Sequence, residues 1–225
     1  MANGKVRTGF SYPWVAIYSA SGTTVSYSNA QALARGVDVT MSPESASDNI
    51  FYADNREAEN AGGKITGYTL SLTVDGLKEA AERLITGLPA AVDNWTAIGG
   101  SDQSVPYCGV GWLTRYMEDG VASFIATVCS KVKFNAIEKA AATQEAEISW
   151  QTQSLEAAGF RSDSANGEFY FQSTEFVVDG TTYANEAAAE AAALALMKAK
   201  LGVASTRRDI EENMEIEIEK TLFQD

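Results

Sequence analysis

Side chains able to do chemistry are sparse in this 225-residue chain, and their types exclude more than they permit. There is no histidine. That removes the commonest general base and metal ligand, and with them any Ser-His or Cys-His nucleophile. Cys108 and Cys129 are the only cysteines. Without CxxC spacing or a histidine they read as free core thiols, not as a zinc site. The densest acid group, Asp54, Asn55, Glu57 and Glu59, offers the hard oxygens that calcium takes. Arg56 stands in its middle and EF-hand spacing is missing, so a solvated acidic face is the plainer reading. Gly109 and Gly111 form a GxG without the third glycine or the following helix of a dinucleotide fingerprint. Gly99-Gly100 has no Lys-Ser/Thr behind it, and the sequon Asn94-Trp95-Thr96 follows no secretory signal. Nothing here specifies an active site, a metal or a cofactor.

Composition supports a folded chain. Apolar residues make up 45% and charged residues 21%, enough for a substantial core. Thirty acids against 17 bases give a net charge of -13, which repels phosphate backbones and excludes tight nucleic-acid wrapping. Such a surface still suits DNA that must pass without sticking. No apolar run reaches the ~18 residues of a membrane helix, so cytosolic synthesis is expected.

The elements that would position any site are mainly strands. Tyr12, Trp14, Val15, Ile17 and Tyr18 mark a first strand, Thr23 to Ser28 a second, and Gln31 to Met41 a third that Pro43 ends. Ser42 to Lys64 reads as a long polar, acidic loop carrying Phe51 and Tyr52; loops of this length inside a domain are usually functional. From Ile65 to Val74, Tyr68, Leu70, Leu72 and Val74 alternate with Thr69, Ser71 and Thr73, the pattern of a half-buried strand. Leu77, Ala81, Leu84, Ile85 and Leu88 then recur at helical spacing up to Pro89. Tyr107 to Glu118 and Val121 to Phe134 form a hairpin about Asp119-Gly120, with Phe124, Ala126, Val128, Val132 and Phe134 as one apolar stripe. A strand over Thr143 to Ser154 puts Ala146, Ile148 and Trp150 on one face and Glu145, Glu147, Ser149, Gln151 and Gln153 on the other. Strands over Glu168 to Phe171 and Glu175 to Tyr183 precede an alanine-rich helix from Asn185 to Leu201, closed by Gly202. The expected fold is mainly β (α+β), a sandwich or barrel-like subunit with a flanking helix and the alanine-rich C-terminal helix. Its expected divisions are a β domain over 1–160 containing the 42–64 loop, a strand–helix module over 161–202 and an extension over 203–225. In that extension helical and strand patterns compete.

The segments GVDVTMSPES, NIFYADN and GYTLSLTVDGL, followed by GVGWLTRYMEDGVASFIATVCSKVKF and TQEAEISWQTQSLEAAGF, occur in a familiar order. In this the chain resembles the major tail (tail tube) proteins of long, non-contractile-tailed phages and prophages of Gram-positive bacteria. The likeness runs over about residues 5–160 and more loosely to Leu201. It implies a non-enzymatic virion protein made in the host cytoplasm, assembling as stacked hexameric rings. The tube so formed holds the tape measure protein, meets terminator and baseplate or initiator proteins, and later conducts DNA without binding it.

On that view the polar face of Glu145, Glu147, Ser149, Gln151 and Gln153 is a lumen wall; the alternative is an outward face paired with Lys131 and Lys133. The 42–64 loop, with Asp48, Phe51, Tyr52, Asp54, Arg56, Glu57 and Glu59, docks between rings or subunits, or else folds back on its own domain. Rival functions are another β-rich virion part, for tail completion or head decoration, and a carbohydrate-binding or hydrolytic β-sandwich using Trp14, Trp95, Trp112 and Trp150.

Overall fold

Alternation between apolar and hydroxyl side chains dictates long antiparallel strands. The computed structural model describes residues 4–47, 49–53, 56–61, 63–96, 98–101, 103–139 and 151–203. In chain order the elements are β1 (Val6–Ser21), β2 (Thr24–Ala32), β3 (Gly36–Ser45), β4 (Asn49–Ala53), β5 (Arg56–Ala61), β6 (Ile65–Val74), α1 (Glu79–Thr86), β7 (Cys108–Glu118), β8 (Val121–Phe134), β9 (Gln153–Phe160), β10 (Tyr170–Gln172), β11 (Phe176–Val177) and α2 (Glu186–Lys200). Among the described residues the fold is mainly β with two helices, as expected.

One antiparallel sheet runs β2-β1-β7-β8-β9-β6-β3, and β10 and β11 add to β8 beside β9. The concave side of this sheet holds the main core. There Val15, Leu70, Leu72, Val74, Val110, Trp112, Cys129, Val132 and Leu155 are buried together with Ala81 and Ile85 of α1. Gly87, at φ 65, ends α1 in a left-handed cap. On the opposite side α2 covers β1, β7 and β8. Its Ala189, Ala193, Met197 and Leu201 pack on Ala16, Leu113, Phe124, Ala126 and Val128. Asn185 caps the helix by accepting from the Ala188 N–H at 2.9 Å.

Several expectations are corrected. The apolar stripe of β8 serves two cores: Phe124, Ala126 and Val128 face α2, whereas Val132 and Phe134 join the main core. A register shift opposite Cys108 and Val110 makes the switch, because a bulge inserts one residue and reverses the side-chain alternation beyond it. The third strand divides at buried Leu33 into β2 and β3.

Between 42 and 64, where a loop was expected, most of the described residues form strands. β3 continues through Pro43 to Ser45, and β4 pairs with β5 as a hairpin. Pro43 is tolerated because β3 is an edge strand, where a missing N–H can face away from the ladder.

Of the strand expected over Thr143 to Ser154, residues 140–150 lie outside the described residues, Trp150 among them. Gln151 and Thr152 precede the strand, and β9 extends instead to Phe160. The strands expected near 168–183 shrink to the short β10 and β11.

Candidate functional site

Only part of the sheet's outer side is covered by α2. On β3, β6 and β9 the side chains alternate with buried Leu70, Leu72 and Leu155 and therefore point away from the core. Register places them in rows: Ser42, Thr69 and Ala158, with Lys133 of β8 beyond; then Thr40, Ser71 and Glu156; then Asp38, Thr73 and Ser154. The result is a three-strand surface built almost wholly of hydroxyls and short side chains. Thr69 donates its hydroxyl to the Glu44 carboxylate at 2.8 Å, and the Thr66 hydroxyl donates to the Glu44 carbonyl at 3.2 Å. Asp38, Glu44 and Glu156 stand against Lys133 and, beside Phe160, Lys131, whose charge is met by Asp163 at 2.6 Å, so the face carries an excess of acid.

This face ends at an unpaired margin. Among the described residues no strand pairs with the outer edge of β3 or of β2, and exposed backbone N–H and C=O groups there are templates for another chain. Beyond Ser45 the Ala46 N–H donates to the Lys64 carbonyl at 2.9 Å, and the ladder is then resumed by β4 and β5. Phe51 lies opposite Glu59, Tyr52 opposite Glu57 and Ala53 opposite Arg56. Asp48 and Asp54 lie outside the described residues.

Glu145, Glu147 and Ser149 fall outside the described residues, and Gln151 is exposed before β9 begins. Gln153 lies opposite Val74, on the side of Leu155 and Ala157. Its carboxamide donates to the Glu138 carbonyl at 2.9 Å and to its neighbour Ser154 at 3.1 Å. Lys131 and Lys133 lie opposite Phe160 and Ala158. The residues missed, Thr40, Ser42, Thr69, Ser71 and Thr73, carried a legible signal: their period-2 alternation with a buried set.

Among the described residues no group of His, Cys, Asp and Glu is placed to hold a metal. A cleft of about 410 Å³ opens between the first half of β1 and β3, lined by Phe10, Met41, Trp112, Thr114 and Thr127. Arg7 and Asp38 are its charged residues, and the Arg7 Nε donates to the Tyr116 hydroxyl at 3.2 Å. Gly109 and Gly111 seat α2: a Cβ on Gly111 would stand 2.9 Å from Met197 Cγ, and one on Gly109 2.4 Å from the Tyr27 ring. Trp112 is buried and Trp14 lies under Lys198, which leaves Trp95, 82% exposed, as the open indole among the described residues. No model of a known protein family matches the sequence, and no curated protein matches it.

Proposed function

We propose that this chain is a self-assembling structural subunit of a phage tail tube, forming stacked rings, probed most directly through its uncovered β3–β6–β9 face. The observation that carries the reading is that face: acidic, rich in short hydroxyls, and bounded by the unpaired edge of β3. Pairing of β3 of one copy with an edge of the next removes both edges and joins the faces into a continuous wall. A wall of Ser and Thr with an excess of carboxylates offers passing DNA no cationic trap, and its repulsion acts within a Debye length of ~8 Å. It equally suits enclosure of a tape measure protein. The β4–β5 hairpin, prolonging the same two strands, is the contact to the next ring, and α2 faces outward.

Electron microscopy of the purified protein at rising concentration tests this. Hollow tubes of uniform width are expected; monomers at every concentration would favour a decoration role. Because both native cysteines are buried, Ser71→Cys provides a selective label. In tubes it should react with a small maleimide and resist a bulky one, whereas Leu196→Cys on the exposed side of α2 should accept both.

A further inference from the structure

β1 is built as two segments of unequal support. From Pro13 onward it is firmly held: Pro13, Val15, Ala16 and Tyr18 are buried, and β2 pairs along it from Trp14 to Ser21. Before Pro13 that support falls away. Val6 to Gly9 are exposed, Phe10 and Ser11 are half-buried, and the pairing with β2 has not begun. The first segment therefore has a ladder only with β7. Towards β3 it faces the cleft of about 410 Å³.

The ladder with β7 is itself interrupted. Register shifts break it between Arg7 and Gly9 and again between Ser11 and Trp14. At the second break Tyr12 takes φ 52. A bulky residue in the left-handed region is strained, and the Tyr12 ring, 42% exposed, gains little burial to offset it. The chain is fixed immediately afterwards, where the Leu33 N–H donates to the Pro13 carbonyl at 2.9 Å. Strain and anchor together make Tyr12-Pro13 a hinge. Beyond it the segment is fastened by polar contacts at the surface. The Arg7 Nε donates to the Tyr116 hydroxyl at 3.2 Å, Arg115 donates to the Thr8 hydroxyl at 2.9 Å, and Lys5 pairs with Glu175. Half-buried Phe10, packed against Gly36, is its apolar anchor.

We propose that Val6 to Ser11 is an exchangeable arm, which swings out about Tyr12-Pro13 and pairs with β7 of a second copy. Identity fixes the occupant: β7 of another copy offers the very contacts the arm makes within its own chain, so only the hinge differs between the two states. Straightening the hinge into extended backbone releases the strain at Tyr12, and strained short hinges favour exchange of this kind. Six residues of strand give the arm a reach of about 20 Å, enough to engage a copy lying alongside. The exchange goes beyond the edge pairing proposed above, because it uses the edge of β7 that β1 covers and requires no tube.

Cysteine pairs test it. Val6 and Met117 are register partners, and the ~4.5–5.5 Å between partnered Cα atoms lies within disulfide range. Both native cysteines are buried. The Val6→Cys/Met117→Cys protein, oxidised when dilute, should close an intrachain disulfide. The single variants Val6→Cys and Met117→Cys, mixed when dilute, then concentrated and oxidised, should give a covalent heterodimer on non-reducing gels. Val6→Cys mixed with Val92→Cys, at a site 72% exposed, sets the level of chance collision. Tyr12→Gly takes the positive φ without strain and should slow heterodimer formation about tenfold. Heterodimer at the collision level overturns the exchange, and a rate unchanged in Tyr12→Gly overturns the strained hinge as its cause. Electron microscopy of the same samples separates the two readings. Tubes without heterodimer remove the exchange and leave the tube standing; heterodimer without tubes does the reverse.

Discussion

Gly159 should be irreplaceable because Tyr68 occupies its side-chain position. The two residues face each other across β6 and β9. A Cβ built on Gly159 would lie 2.1 Å from Tyr68 Cζ and 2.3 Å from both Cε atoms. Carbon atoms normally stop at about 3.5–4.0 Å, so the ring would have to move by more than an ångström. It has nowhere to go: Tyr68 is buried, Phe169 holds it edge-on at 6.3 Å, and its hydroxyl donates to the Phe169 carbonyl at 3.4 Å. Gly159 is not among the positive-φ glycines, so alanine meets no backbone strain there and its cost is steric.

For Gly159→Ala we expect a loss of about 3 kcal/mol, the upper part of the overpacking range. Tyr68→Leu alone should cost about 3 kcal/mol, through lost aromatic contact and a partial cavity. In the double variant the new methyl group enters the space the ring has left. The combined loss should therefore fall short of the sum by about 1.5 kcal/mol or more. Urea unfolding followed by tryptophan fluorescence gives the three values, provided the slopes match. Additivity within about 0.5 kcal/mol would show that ring and glycine do not share one space and would refute the reasoning.

Other expectations concern the second core, a loop carboxylate and the thiols. Met197→Ala and Leu201→Ala, both at fully buried positions under α2, should each cost about 2–5 kcal/mol in denaturant unfolding. Asp179 is held at a pKa of about 2 by the N–H groups of Thr181 and Thr182, which donate to it at 2.9 and 2.7 Å. Since its unfolded value is about 3.9, the stabilisation it gives is complete above that pH and lost as pH falls towards 2. Thermal melts of parent and Asp179→Ala should accordingly differ at neutral pH and converge in acid. Burial pushes the Cys108 and Cys129 thiols up to about 12. Both should ignore thiol reagents at about pH 8 in the native protein and react on unfolding.

Much of the fold was legible because alternation is a strong signal where one face is buried. Ile65 to Val74 and the β7–β8 hairpin at Asp119-Gly120 follow directly from it, and both helices from apolar residues at helical spacing. The failures have local causes. Ala157, Ala158 and Gly159 resemble no strand, yet β9 runs through them because Tyr68 and Val132 fill the space their side chains leave. The bulge in β8 is invisible to a period count, so one stripe was read where two cores exist. Pro43 looked like a terminator because its edge position depends on strand order, which no local pattern reveals. Strand order likewise decides which polar face stays uncovered. Thr69, Ser71 and Thr73 were recognised as the polar side of a strand, but only the docking of α2 elsewhere leaves that side bare.

The strand order also has a consequence for how the molecule comes into being. β1, second in the sheet, is synthesised first, yet Val6 pairs with Met117. The hairpins β1–β2, β3–β6 and β7–β8 can close locally, whereas the other edge of β1 must wait for β7, far along the nascent chain, and closing so large a loop delays the step. During that interval the β7-facing edge of this 16-residue strand is available to any other immature copy. Refolding from denaturant should therefore be slow and lose yield as concentration rises. A chain whose β2 and β3 edges lie unpaired among the described residues meets the same hazard, in the wrong register, before it is finished.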